Sequence, residues 1–272
     1  MELEVVLKGV LPSLAAALLL VSLGGARLAG LAAAIGTLVA FGLLKQWPAW
    51  PHELWQRPNG TQWLVWAVAA AGVWSTLESA RWLPAVLRPL FAPLFAAFAI
   101  WLVLQKTAAN WSFGDQLLFV GGGGGIAALT AATLRTTLQR APLGVGPAVL
   151  MAWLLSLDAG LLVLGKSALF GQVMGAVAAT IGAAAGTRLW RQPFVFGEAH
   201  TGWLAVAHAG FVLAGVHLAY LPWSAAGLAL AAPLLPLLLG QRLTKQPLLW
   251  TLVTCGLVTL PLGGAMWLAN GG

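Results

Sequence analysis

The chain has 272 residues, 60% of them hydrophobic and only 8% charged, with a formal net charge of +7. So little polar surface cannot cover a water-soluble fold of this size, which excludes a soluble enzyme or a nucleic-acid-binding module. The basic excess belongs instead to loops, because Lys and Arg accumulate on the cytoplasmic side of a membrane protein.

Apolar blocks of about 17–25 residues match the hydrocarbon core of a bilayer when wound as helices. Read between charges, the first block runs from Lys8 to Arg27 and the second from Arg27 to Lys45. Glu2 and Glu4 precede the first block, unlike the basic start of a secretory signal, so it is read as a retained span. The loop from Lys45 to Gln62 is the longest and carries Trp47-Pro48 and Trp50-Pro51, which fit an interfacial aromatic belt with stiffened turns. Blocks three to five cover Gly60 to Glu78, Leu83 to Leu104 and Leu117 to Leu134. Five consecutive glycines, Gly121 to Gly125, weaken the fifth block as a helix; they suit either an unwound segment or a close crossing.

The sixth block, Val145 to Leu164, holds the most singular residue of the chain. Asp158 lies inside the block, where an unpaired charge costs about 2.5–3.5 kcal/mol, so it must be paired, hydrated or protonated. The seventh block, Ser167 to Leu189, carries the small-residue steps Gly171 to Gly175 and Gly182 to Gly186, a pattern that lets helices approach closely. Gln172 beside them is its one polar side chain placed to line a cavity. The apolar run from Gly202 to Gln241 is too long for one helix, and Leu221-Pro222-Trp223 divides it into blocks eight and nine. Pro247 to Leu268 is the tenth, and it holds the lone Cys255, which has no partner for an internal disulfide.

His208 and His217 both fall in block eight. Nine residues apart, they occupy opposite faces of a helix about 13 Å apart along its axis, so they cannot chelate one metal. Counted from the starts of blocks six and eight, His217 reaches the level of Asp158, which makes a carboxylate–imidazole pair between them the expected proton-handling unit, with Tyr220 extending it. His208 is the weaker candidate, expected to be satisfied locally. Glu198 and His200, at the mouth of block eight, are the only acid and histidine close in sequence outside the long loop. No nucleophile elbow, zinc motif or phosphate loop is present, so no catalytic, metal or cofactor-binding set is assigned.

Fold class follows: all-α, polytopic, about ten transmembrane helices. A shift of about 135–140 residues lays Thr61-Gln62-Trp63-Leu64 over Thr201-Gly202-Trp203-Leu204, which suggests inverted halves at 1–140 and 141–272 within one membrane domain. Counting alternate sides puts Arg27, Arg81, Arg88, Arg135, Arg140, Arg188, Arg191, Arg242 and Lys245 on one face. Lys8, Lys45, Arg57, Lys106 and Lys166 fall on the other, so the first face is expected in the cytoplasm and both termini outside. In size and ten-span layout the chain is similar to the drug/metabolite transporter superfamily. No motif carries that likeness, and the expected outside termini differ from the family's usual orientation.

The expected function is that of a bacterial inner-membrane permease for a small solute, proton-coupled through Asp158, with His217 and Gln172 on the path. Its expected partners are the lipid bilayer and a small-molecule substrate, with no nucleic acid and no cofactor. A membrane scaffold is the alternative. An intramembrane lipid-modifying enzyme, using Glu198 with His200 or Asp158 with His217, is the third.

Overall fold

The computed structural model describes residues 2–45, 47–81, 87–187, 196–239 and 245–271. Trp82, Trp190, Arg188, Arg191 and Arg242, used above to place loops and orientation, lie outside these residues. Among the described residues there are helices and no strands. In order they are α1 (Glu2–Gly24), α2 (Ala29–Leu44), α3 (Pro51–Gln56), α4 (Gly60–Ser79), α5 (Arg88–Ala108) and α6 (Phe113–Gln116). There follow α7 (Gly122–Gln139), α8 (Gly146–Leu164), α9 (Ala168–Gly186), α10 (Thr201–Leu218), α11 (Trp223–Ala231) and α12 (Pro247–Gly271).

Seven helical stretches are long and apolar enough to cross a membrane. One of them, Leu7–Leu44, is 38 residues long. Wound straight it would reach about 57 Å, nearly twice the hydrocarbon core. It does not run straight: a 3₁₀ turn at Gly25–Leu28 separates α1 from α2, and the two helices pack along each other. Gly25 opens that turn at φ 70°, which a side chain would resist. Block nine is half irregular, since α11 passes into a 3₁₀ stretch at Ala232–Leu238 containing Pro233 and Pro236. Proline removes amide donors and shortens the regular part.

The centre of the molecule is α10. It touches α4, α5, α7, α8, α9 and α11, and all but four of its residues after Thr201 lie buried. A helix apolar on every side is expected in that position. The hairpin of α1 and α2 lies against α9, with α2 also along α4; α8 and α9 pair, and α12 lies along α8. Outward leucines such as Leu19 and Leu260 face away from the protein.

Lipid is as apolar as leucine, so helices in it associate through close packing. The tightest crossing is α2 on α4. A Cβ at Gly30 would sit 2.2 Å from the Gly72 carbonyl oxygen, and one at Gly72 would sit 2.4 Å from that of Gly30. Thr76 completes the contact, its Oγ1 accepting from the Leu31 amide at 2.8 Å. The glycine run behaves as a crossing and stays helical. Gly123 lies under Ile100, and Gly124 meets the Pro93 carbonyl and Ala97 of α5, while Gly122 and Gly125 have nothing near them.

Of the four glycines read as a packing stripe on α9, only Gly171 is tight, with Val163 and the Ala159 carbonyl of α8 against it. Gly175 is in ordinary contact, and Gly182 and Gly186 have open space. The stripe therefore shortens to one contact, because α8 crosses α9 near the Gly171 end.

Candidate functional site

Asp158 sits in the third turn from the end of α8, fully buried, among leucines that leave its carboxyl no water. Its partner is His208 of α10: Nδ1 and Oδ2 lie 2.6 Å apart, and both side chains are wholly enclosed. The pairing expected with His217 is not formed. The depth count assumed that α8 and α10 start at one level. Asp158 lies about 18 Å from the start of α8 and His208 about 10 Å from the start of α10, so α10 begins deeper or the helices tilt. A stagger of two turns exchanges one histidine for the other.

A short contact between a carboxyl and an imidazole nitrogen holds at least one proton. With Asp158 ionised, the Nδ1–H of His208 donates to Oδ2, which fixes the tautomer and leaves the Nε2 lone pair free. That Nε2 and Asp158 Oδ1 are both buried and have no hydrogen-bond partner among the described residues. A buried polar atom left unpaired costs about 1–3 kcal/mol. The couple can therefore take up or hand on a proton through two atoms that nothing in the protein occupies.

The other candidates lie elsewhere. His217 stands in an aromatic cluster at the far end of α10, its ring 5.2 Å from Phe119, 5.4 Å from Trp223 and 5.8 Å from Trp111. Phe119 reaches it from a π-helical turn, Leu117–Gly121, between α6 and α7. Tyr220 is exposed, its ring under Lys166 Nζ at 5.7 Å, and does not extend the Asp158 couple. Gln172 is half-buried on α9 beside Gly9 of α1, and its side chain makes no hydrogen bond among the described residues.

Glu198 and His200 are neighbours in sequence but face different partners. Glu198 receives Arg135 Nε at 2.7 Å and Gln139 Nε2 at 2.9 Å, both from α7. His200 is buried, stacked on Phe196 at 4.3 Å, with its ring nitrogens 3.2 Å and 2.9 Å from the carbonyl oxygens of Gly197 and Ala26. Ser75 adds a hydrogen bond to the Ala199 carbonyl. These contacts tie the start of α10 to α4, to α7 and to the turn between α1 and α2. They anchor; they do not assemble an acid–base couple.

Two cavities follow α10 on the side away from Asp158. A cleft of about 660 Å³, partly open to solvent, lies between α4, α5, α7 and α10 and carries Glu78, Arg135 and Thr201 on its walls. An apolar crevice of about 360 Å³ begins one turn further along α5 and α10, lined by residues such as Ala67, Ala96, Ala99 and Gly210. Sequence reading passed over both, since their walls are mostly alanine and their charges sit at block ends where solvated residues are the rule. No protein-family model, curated protein or solved structure matches the chain.

Proposed function

We propose that the chain is a small-solute permease of the bacterial inner membrane, built from ten spans in two inverted halves and coupled to protons through Asp158 and His208. The observation that carries this reading is a sealed carboxylate–imidazole couple inside helices apolar enough to cross a membrane, with one unpartnered atom on each member. Intramembrane ionisable groups of this kind mark proton relays and substrate paths. The ten-span reading is supported by the helices α1, α2, α4, α5 and α7 followed by α8 to α12, with α11 and its 3₁₀ extension as one short crossing. Inversion is supported by matched packing: α1 with α2 as α8 with α9, and α5 with α7 as α11 with α12. An odd number of spans per half makes the halves opposite in direction.

In this reading the conformation described here is occluded. Opening toward one face brings water to Asp158 Oδ1 and His208 Nε2, and the couple changes its proton count as access alternates. The test uses impermeant thiol labelling from each face of sealed vesicles, in a Cys255→Ser background carrying Asp158→Cys or His208→Cys. Slow labelling from at least one face is expected, because the site must open. Protection from both faces at both positions, in protein shown to be folded and inserted, would sink the coupling role.

The scaffold reading is favoured by one observation, the complete burial of the couple. It assigns Asp158 and His208 to holding α8 against α10 and requires that labelling fail. The lipid-modifying reading has neither of its two acid–base couples in contact.

A further inference from the structure

The cleft at the Arg135 end of α10 has opposite charges on two walls. Glu78, buried at the end of α4, contributes a carboxyl group, and Arg135 of α7 a guanidinium. Glu198 holds that guanidinium by Nε alone, and Gln139 occupies the other oxygen of Glu198. The terminal nitrogens of Arg135, the fork that matches a carboxylate in two parallel hydrogen bonds, have no partner among the described residues. A carboxylate accepts up to about four hydrogen bonds, so Glu78 has capacity for an ammonium group whatever else it touches.

Between the charges the walls are kept small by Ala92, Ala128, Ala131 and Gly202. One turn deeper along α5 and α10 the apolar crevice begins, at Ala96 and Val206. A cleft of this size falls in the range of small-ligand sites. An anion alone would meet Glu78, and a cation alone would meet Arg135.

We propose that this cleft binds a small zwitterion of the amino-acid class, its carboxylate on the Arg135 fork, its ammonium on Glu78 and an apolar side chain directed into the crevice. The proposal rests on the permease reading and names the class of solute.

The test is calorimetric titration of the full-length protein in nanodiscs with glycine, L-alanine, L-leucine, propionate and ethylamine. Leucine is expected to bind more tightly than glycine, and propionate and ethylamine at least about tenfold more weakly than alanine, one lost charge contact each. Arg135→Gln and Glu78→Gln are each expected to weaken leucine at least about tenfold. Arg135→Lys, which keeps the charge and loses the fork, should fall between. If Glu78→Gln does not fold, Ala128→Met fills the same cleft without touching either charge and should abolish binding.

No binding by any of the three amino acids, or equal binding of alanine, propionate and ethylamine, overturns the proposal. Leucine uptake into proteoliposomes separates the two readings. Binding without uptake keeps the site and removes the permease. Uptake that Arg135→Gln leaves unchanged keeps the permease and removes the site.

Discussion

Asp158 and His208 satisfy each other in a place where neither has an alternative, so removing one strands the other. His208→Leu is expected to destabilise the protein by about 3 kcal/mol, in the range for breaking a buried ionic pair. The double variant Asp158→Leu with His208→Leu should recover most of that loss, because apolar residues of similar volume need no partner. Reversible unfolding in mixed micelles reads both, and a double variant as unstable as the sum of its parts would refute the account. The carboxylate was legible in the sequence as a charge inside an apolar block. Its partner was not, because choosing between His208 and His217 depends on where α10 begins, and a helix start is set by packing against α4 and α7. Glu198 and His200 show the same limit: their adjacency in the chain says nothing of the different neighbours that claim each side chain.

At the scale of helices, glycines divide into those under pressure and those that are free. Gly30→Ala is expected to force α2 and α4 apart and cost about 1–3 kcal/mol, since its Cβ would strike a backbone oxygen that cannot rotate away. Gly122→Ala meets nothing and should stabilise α7 by up to about 1 kcal/mol through helix propensity. Thermal unfolding of the two variants in detergent should therefore move in opposite directions. The sequence gave no warning of the Gly30–Gly72 crossing, which joins single glycines on two helices with no repeated step between them. It drew attention to the stripe on α9, where the spacing is regular but only Gly171 is used. Spacing marks a face that permits approach; the neighbouring helix decides where approach occurs. The blocks themselves were easy to read, since a long apolar run between charges has few alternatives to a helix.

For the whole molecule the count of crossings has a sharp consequence. Ten crossings put both ends of the chain on one side of the membrane, whereas seven would put them on opposite sides. Reporter fusions at the two ends are expected to give the same, outside, signal, with Arg27, Arg135 and Arg140 on the cytoplasmic side. Opposite signals would remove both the ten-span count and the inverted halves. Seven stretches meet the length and hydropathy requirement because α1 and α2 join into one and α11 is short, and α4 is diluted by polar residues such as Gln62, Ser75 and Glu78. Hydropathy alone therefore undercounts a chain whose central helices exchange some apolar character for contacts at their ends.

The two members of the buried couple are also separated in time. His208 follows Asp158 by 50 residues, so at about 5–20 residues per second the ribosome delivers it roughly 3–10 s later. Throughout that interval α8 holds an acid with no counterpart. Either its leucines carry it into the lipid at a cost of about 2.5–3.5 kcal/mol, or it waits beside the insertion machinery until α10 emerges. The order of synthesis thus makes α8, α9 and α10 a single unit of assembly, with the last of them completing the first.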